Sequence, residues 1–442
     1  MATWNGISTA LSSLQAQRAA MDVAGQNIAN VNTPGYSRQR VQMSAGLGVD
    51  VSAIQRLQSG VLGDRARTEG ARLGDLAASS TVLNEIEQVF PEPSAYGLAT
   101  QLDAFWSGFA DVSRDPSNAA ARIQVVEQAN VVAGWLNDAS QRLTDITTDY
   151  KQNLTNLVTS ANTAAQKIAD LNIAISQALP GTSGLNALLD QRASAATELS
   201  NAVGGTFTID DANIMRVSLG GTTLVGSRNY SALQVDTTAG TTSVQWAATD
   251  ANAAISSGTA NGYLNTINTV IPSWTASLDS VAAALISKVN TAQAAGYDQD
   301  GVSGTAMFTG TTAATIAVAI TDGTKVAASA IAPTGGAASL NGSNADMMST
   351  LGTVNGSPDG IYQNLVVSLG YATQSANQTA QTQESFNANI MGQIRSESGV
   401  NMDEEMANLL TYQRAYEASA RVLTAIDEAL ATLINRTGLV GR

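Results

Sequence analysis

Few side chains in this sequence are suited to chemistry, because it contains neither cysteine nor histidine. Their absence excludes thiolate nucleophiles, the serine-histidine-aspartate triad and the commonest zinc ligands. The remaining candidates are two groups of neighbouring carboxylates, Asp210-Asp211 and Asp298 with Asp300. Paired carboxylates perform glycoside hydrolysis, and Asp298-Gln299-Asp300-Gly301 resembles the opening of a calcium loop. The residues around Met307, where such a loop closes with glutamate, are neutral. We therefore predict turns here, and no enzyme activity and no catalytic, metal or cofactor site.

Both ends of the chain carry apolar residues spaced seven apart, the period of a coiled coil. Flanking apolar residues widen each row to the face of an ordinary amphipathic helix. At 1.5 Å per residue the two helices run for roughly 30 and 40 Å, so they can lie side by side. The N-terminal seam consists of Ile7, Leu11, Leu14, Met21 and Ile28, and the C-terminal seam of Met402, Leu409, Tyr416, Leu423 and Leu430. The pattern alone equally fits contacts between chains and two helices that close one core.

The composition is that of a protein with a lean core and a weakly charged surface: 44% of the residues are hydrophobic, 5% aromatic and 13% charged. The net charge of −14 resides mainly in the middle, because both terminal segments are nearly neutral. An acidic middle argues against nucleic acid and anionic membranes as partners. Ser, Gly or Asp interrupts the longest apolar stretches, so we expect no membrane insertion. Residues 1–30 lack the basic segment of a signal peptide and have the pattern of an amphipathic helix.

The order of elements predicts an α+β protein that is mainly α, with a coiled-coil-like inner domain, a bundle of long helices and small antiparallel β inserts at the far end. Helical spacing is expected to resume at Ile54 after two short strands and to persist to about Phe90. The chain runs outward and returns, so we expect its termini to lie together. The predicted domains are an inner terminal-helix domain (1–45 with 396–442), a helical domain (46–202 with 251–300 and 360–395), a small β unit (203–250) and a compact distal β-rich insert (301–359).

The first predicted helix ends in a segment that we call the signature turn, which consists of Asn30, Asn32, Thr33, Pro34, Gly35 and Tyr36. Pro34 disfavours the helical conformation at Thr33, and Pro-Gly favours a type II turn with Gly35 at positive φ. Residues 26–39 resemble the N-terminal signature of bacterial flagellar axial proteins of the rod, hook and hook-associated group. Residues 398–405 and 412–422 resemble the C-terminal signature of that group. We attribute the acidic run Asp403-Glu404-Glu405 to the helix dipole alone.

The middle of the chain narrows the resemblance to the hook-associated proteins. Residues 185–192 and 198–200 resemble the segment before the β unit in such proteins, although the insert at 301–359 is more compact. The resemblance implies a structural subunit at the junction between hook and filament, on which the next junction protein and flagellin assemble. The alternative is another flagellar axial protein, of the hook or rod type or hook-associated protein 3.

The resemblance also implies partners and a location. Subunits of this group self-assemble into a ring or helical layer, and they contact hook protein and hook-associated protein 3. They pass through the flagellar type III export apparatus without a cleaved signal peptide and become part of the extracellular flagellum. A cytoplasmic export chaperone holds the C-terminal helix before export, and the terminal helices are disordered in the free monomer. Both seams are therefore expected to be contacts between subunits.

Overall fold

The computed structural model describes residues 2–46, 48–238, 240–332 and 340–436. In these ranges the chain is mainly helical with small antiparallel sheets, which confirms the predicted fold class. The helices are α1 (Ala2–Ala29), α2 (Gly60–Val89), α3 (Leu98–Arg114), α4 (Ala119–Gln177), α5 (Ser183–Val203), α6 (Thr259–Asn265), α7 (Ile271–Ala295), α8 (Ser343–Ser349), α9 (Pro358–Ser398) and α10 (Met402–Arg436). The strands are β1 (Gln39–Ala45), β2 (Val49–Arg56), β3 (Thr206–Ile209), β4 (Met215–Leu219), β5 (Thr222–Val225), β6 (Leu233–Asp236), β7 (Ser243–Trp246), β8 (Phe308–Thr309) and β9 (Ala317–Val318).

The two terminal helices, α1 and α10, pack side by side, and the hairpin β1–β2 lies against α1. Pairing in the hairpin extends to Gln39 opposite Arg56. The prediction that helical spacing resumes at Ile54 was therefore wrong, because cross-strand pairing outweighs local periodicity there. Helix α2 begins only at Gly60, where the Ser59 side chain accepts a hydrogen bond from the amide of Leu62.

Helices α2 to α5, α7 and α9 form a helical body around one apolar core. The 59-residue α4 is its longest element. It begins at the cap Asn118, whose side chain accepts hydrogen bonds from the amides of Ala120 and Ala121, and it ends just before Pro180. Such caps satisfy amide groups that have no partner inside the helix. Phe105 and Phe109 of α3 fill the core beside α4, edge to face with ring centroids 5.1 Å apart.

Two small β structures are attached to this body. Strands β3, β4 and β5 form one antiparallel sheet, and β6 pairs with β7 in a second. Beyond α7, the described residues of 301–359 contain the short pair β8–β9, the helix α8 and two turns of 3-10 helix. Residues 333–339 of the predicted distal insert and 437–442 of the predicted inner domain lie outside the described ranges.

The segment Thr259–Ala295 corrects the expectation about membrane helices. By length and composition it is apolar enough to cross a membrane. It consists of α6, a π-helical turn at Thr266–Val270, and α7. Leu278, Val281 and Leu285 of α7 are completely buried in the protein core, although only 28% of the most apolar part of the segment is buried.

Candidate assembly interface

The signature turn adopts the conformation that its sequence predicts. Gly35 has a φ of +79°, and the amide of Tyr36 donates a hydrogen bond of 3.2 Å to the carbonyl of Thr33. This is a type II turn with Pro34 and Gly35 at its centre. It ends α1 and directs the chain into β1. A side chain at Gly35 would meet only Ser194 at 3.8 Å, so the backbone angle rather than space requires glycine.

Asn27, near the end of α1, is the polar centre of the region beside this turn and is only 1% exposed. Its amide nitrogen donates to the carbonyl of Gln39 (2.8 Å) and to the carboxylate of Glu405 (3.0 Å). Its amide oxygen accepts from the Gln39 backbone N–H (3.0 Å) and from the Tyr36 hydroxyl (2.8 Å). One buried side chain thus joins α1, the signature turn, β1 and α10, and its hydrogen-bonding groups are satisfied.

Glu405, in the first turn of α10, is 3% exposed and faces Arg38. The Arg38 guanidinium donates from Nε to Glu405 at 2.7 Å and from Nη1 to Glu404 at 2.9 Å. The attribution of the acidic run to the helix dipole alone was therefore incomplete. Glu404 and Glu405 pair with an arginine that precedes them by more than 360 residues, which no local pattern reveals.

Asp190 of α5 connects the same region to the helical body. It accepts a hydrogen bond from the amide of Ser37 at 3.2 Å, and its Oδ1 lies 2.6 Å from Nε of Arg56. That ion pair is close, although its two atoms are not aligned as a hydrogen bond. Burial lowers the pKa of Arg56, and the charge of Asp190 opposes this effect. Burial raises the pKa of Tyr36 to about 12, with further contributions from the negative charges of Asp190 and Glu405.

These contacts form one connected set that we call the junction network. Its members are Asn27, Tyr36, Arg38, Gln39, Arg56, Asp190, Asn186 and Glu405. Sequence reasoning missed all of these roles except the place of Tyr36 in the turn. One available signal was Asn27 itself, a polar residue on the otherwise alanine-rich face of the first helix.

The N-terminal seam does not coincide with the most buried face of α1, and part of the C-terminal seam on α10 is exposed. From Asn5 onward, where the burial of the α1 side chains is described, the fully buried residues of α1 are mainly small, and they are Ala10, Ala16, Ala20, Val23, Ala24 and Asn27. The N-terminal seam lies at the edge of that face: Ile7, Leu14, Met21 and Ile28 are half-buried, and Leu11 is exposed. In the C-terminal seam, Leu409, Leu423 and Leu430 are half-buried, whereas Met402 and Tyr416 are exposed.

The contact between α1 and α10 is close and built from small groups. The hydroxyls of Ser13 and Ser419 lie 2.9 Å apart, and a methyl group at Gly6 would lie 3.1 Å from Ile426 Cδ1. Small residues permit this approach but bury little apolar area. The termini do lie together, as predicted, and each covers one side of the other.

A strip of large apolar side chains on α10 remains uncovered by α1. We call it the outer band, and it consists of Met402, Met406, Leu410 and Tyr416. Their exposed fractions range from 38% at Tyr416 to 55% at Leu410. Met402, Met406 and Leu410 are spaced four apart and share one helical face. Contiguous exposed apolar patches are typical of surfaces that contact other proteins.

The carboxylates that were candidates for chemistry serve local structure. Asp298 accepts from the amide of Val302 at 2.8 Å, and Asp298 and Asp300 both pair with Lys325. Asp210 accepts from the amides of Ala212 and Ile214 in a turn. In the described ranges, no three acidic side chains converge as a metal site. The geometry of these residues is that of turns and ion pairs.

Comparison with known protein families identifies the chain. The family model of the flagellar hook-associated protein FlgK helical domain matches residues 83–308, which is half of the sequence. The chain belongs to the FlgK family. The models of the flagellar basal body rod FlgEFG protein C-terminal region and of the flagella basal body rod protein match residues 395–436 and 7–36. The rod-type alternative is thus confined to the two ends, whereas the helical body is that of FlgK.

Full-length relatives agree with this assignment. Flagellar hook-associated protein 1 of Bacillus subtilis is 28% identical, over 100% of this chain and 99% of its own. Flagellar hook-associated protein 1 of Escherichia coli is 24% identical, over 97% of this chain and 99% of its own. The flagellar hook junction protein FlgK from Burkholderia pseudomallei has the same fold, with a TM-score of 0.66, 15% identity, and coverage of 76% of this chain and all of the other.

Membership of the FlgK family confirms the predicted function at the level of the family. The chain is a structural, axial protein of the flagellar hook–filament junction and not an enzyme. It is part of the extracellular flagellum. The geometry of the terminal helices is the basis for the proposals below about which residues form contacts between subunits and which proteins they contact.

Proposed function

We propose that α1 and α10 are the surfaces through which copies of this chain pack into a layer, with both seams at the contacts between subunits. The observation that carries the proposal is the outer band on α10. It extends the apolar face of α10 beyond the side that α1 covers. Glu405 is the only fully buried side chain among the described residues of α10, so the helix has much apolar surface still to bury.

Energetics support this interpretation. A lone helix is marginal in water, and most of its stability comes from packing of its apolar face. Burial of a large apolar side chain contributes about 1.5–3 kcal/mol. Covering Met402, Met406, Leu410 and Tyr416 by a neighbouring copy would therefore stabilise α10 more than the alanine-rich contact with α1 does. Ordering of the terminal helices would accompany assembly, as we predict.

The junction network supports a second part of the proposal. It connects α10 and α1 to α5 of the helical body through Glu405, Asn27 and Asp190. A subunit in a layer has to present its terminal helices in a fixed direction. Buried polar groups that are paired, as those of Asn27 are, favour one such arrangement over alternatives. We infer that the signature residues maintain the angle between the terminal helices and the helical body.

The partners follow from the same surfaces. We propose that the layer contacts hook protein on one side and hook-associated protein 3 on the other, and that its contacts are heterologous, as a helical array requires. We propose that an export chaperone covers the outer band of α10 in the cytoplasm, because exposed apolar side chains promote aggregation. Export would then use the flagellar type III apparatus without cleavage of a signal peptide. The division of the chain into inner, helical, β and distal domains remains our prediction.

A complementation experiment tests the proposal. A strain that lacks this gene should make hooks and release flagellin into the medium, and the unaltered chain should restore filaments. Leu410→Glu, in the outer band, should fail to restore them although the purified variant folds. The matched control is Val367→Glu on α9, where Val367 is 66% exposed and the charge is equally well solvated. Normal filaments with Leu410→Glu would contradict the proposed role of the outer band.

A further inference from the structure

We propose that a cavity beside the signature turn receives a carboxylate side chain from a second copy of this chain. The cavity has a volume of about 560 Å³ and is partly open to solvent. It lies where the signature turn, α2, α5 and the end of α9 meet, and Tyr36, Ser194 and Gly399 are in its wall. The inference rests on the proposed assembly through copies of this chain, and it adds a specific polar contact to that assembly.

The charged residues of the cavity wall are all basic. They are Arg56, Arg67 and Arg395, and no aspartate or glutamate is among the lining residues. This is unusual for a chain with a net charge of −14. Hydroxyl groups of Ser194, Thr197 and Ser398 also line the wall. The hydroxyls of Thr197 and Ser398 already donate to the carbonyls of Ala193 and Ile394, so the guanidinium groups and the Ser194 hydroxyl are the donors that suit a carboxylate.

The three arginines differ in how far they are already paired. Arg56 faces Asp190 at 2.6 Å. Arg67 is more than nine-tenths buried and bonds Asp64 through Nη2, but its buried Nε has no hydrogen-bond partner. Arg395 is exposed, and none of the ion pairs in the described part of the chain includes it. Arg395 therefore retains unpaired donors at the wall, whereas the Nε of Arg67 is buried without a partner.

The position of the cavity argues for a second copy as the source of the carboxylate. Its wall includes Gly399, three residues before α10 begins, and Tyr36, in the signature turn that follows α1. It therefore adjoins the surface through which copies are proposed to pack. A heterologous contact needs two different, complementary patches on every subunit. Acidic side chains outnumber basic ones in this chain and supply the negative patch, and this cavity supplies a positive one.

Carbodiimide cross-linking tests the inference, because it joins an amine only to a carboxylate in contact with it. The lysines of this chain are Lys151, Lys167, Lys288 and Lys325, so the region of the cavity has no lysine amine of its own. Arg395→Lys places one there while retaining the charge. The control is Arg228→Lys, an exposed position in the β unit that does not line the cavity. Both variants are expressed in the deletion strain, and isolated hook–filament structures are treated with carbodiimide.

We expect Arg395→Lys to give a dimer-sized product, several-fold more abundant than in the control, in which mass spectrometry finds position 395 joined to an acidic residue of another copy. Bonds from position 395 only within its own chain, only to a different protein, or at the yield of the control would overturn the inference. If the unaltered chain is absent from the isolated structures, the proposed function fails as well. If it is present and no bond between copies forms at position 395, only this inference fails.

A charge reversal gives an independent test. Arg395→Glu should lower the amount of the chain retained in hook–filament structures several-fold, because like charges then meet in the cavity. Arg395→Lys should retain the unaltered amount. Arg395 is exposed, so the purified Arg395→Glu monomer should melt as the unaltered chain does. Equal retention of all three chains would contradict the proposed contact.

Discussion

Helices α4 and α10 have similar apolar spacing but opposite environments. Helix α4, with 59 residues, contributes 22 buried residues to the core of the helical body. Helix α10, with 35 residues, has one fully buried side chain among those described, the charged Glu405. A periodic apolar face therefore identifies a surface that needs a partner, but not whether the partner belongs to the same chain. In this chain, α4 packs against other elements of the same subunit, whereas α10 keeps an exposed apolar face, which we propose is covered by another copy.

This difference assigns separate tasks to the two regions. The helical body buries an extensive apolar core of its own. The terminal helices have an alanine-rich contact with each other, a polar junction network at their root and an uncovered outer band. We propose that such a region gains its full stability on assembly, which suits a protein that adds to the end of a growing structure.

The largest expected effect comes from removing matched leucine side chains from the two helices. Leu154→Ala in α4, where Leu154 is completely buried, should lower the free energy of unfolding by about 2–5 kcal/mol. Leu410→Ala in α10, where Leu410 is 55% exposed, should change it by no more than about 0.5 kcal/mol. Chemical denaturation of the purified monomers measures both. Similar losses in the two variants would contradict the contrast between the helices.

The next largest effect is expected at the junction network. Glu405→Ala leaves Arg38 and Asn27 without their buried acceptor, and should destabilise the attachment of α10 by about 1–3 kcal/mol. Hydrogen exchange of the amides at 36–39 measures that local opening. Asp403→Ala, at an exposed position two residues earlier in the same helix, is the control. Equal exchange in both variants would show that the buried pair does not hold the junction together.

A smaller effect is expected at the signature turn. Gly35→Ala forces a Cβ onto a residue with a φ of +79°, which costs about 1–2 kcal/mol. Because Ser194 lies 3.8 Å from the new methyl group, no clash adds to this cost. Thermal unfolding of the terminal region, monitored separately from the helical body by hydrogen exchange, measures the change. Gly25→Ala in α1, where nothing lies within 4 Å of the new methyl, should be neutral or slightly stabilising.

The smallest effect is a shift in the ionisation of Tyr36. Its pKa, raised from 10.0 to about 12, should fall in Glu405→Gln, because one of the negative charges that raise it is removed. A raised pKa means that the neutral phenol stabilises the junction below pH 10, and that this contribution is lost as the pH rises towards 12. Ultraviolet difference titration against the same chain with Tyr36→Phe isolates the signal. An unchanged pKa of Tyr36 in Glu405→Gln would show that the charge of Glu405 in α10 does not affect the ionisation of Tyr36.

Local signals in the sequence were sufficient for much of the fold. Both limits of α4 carry local signals in the sequence, because Asn118 caps its start and Pro180 follows its end. The type II turn at Pro34-Gly35 was predicted for the same reason, since its two residues fix their own conformations. Local reasoning failed at Ile54, where pairing with β1 extends the strand to Arg56.

The candidate site was less predictable, because its contacts join distant parts of the chain. Glu405 meets Arg38 and Asn27, and Asp190 meets Ser37 and Arg56, across more than 130 residues in every case. The heptad rows located the apolar faces of α1 and α10. They did not show that small residues such as Ala20 occupy the close contact while Leu11 and Met402 remain exposed. Periodicity defines the apolar face, but packing decides which part of it is covered.

Hydrogen exchange of the free monomer and of isolated hook–filament structures tests the central claim most directly. In the monomer, the amides of α1 and α10 should exchange at least about a hundredfold faster than those of α4, because the terminal helices open locally at little cost. In the assembled structure they should approach the protection of α4. Protection of α1 and α10 in the dilute monomer equal to that of α4, with no further gain on assembly, would contradict the account.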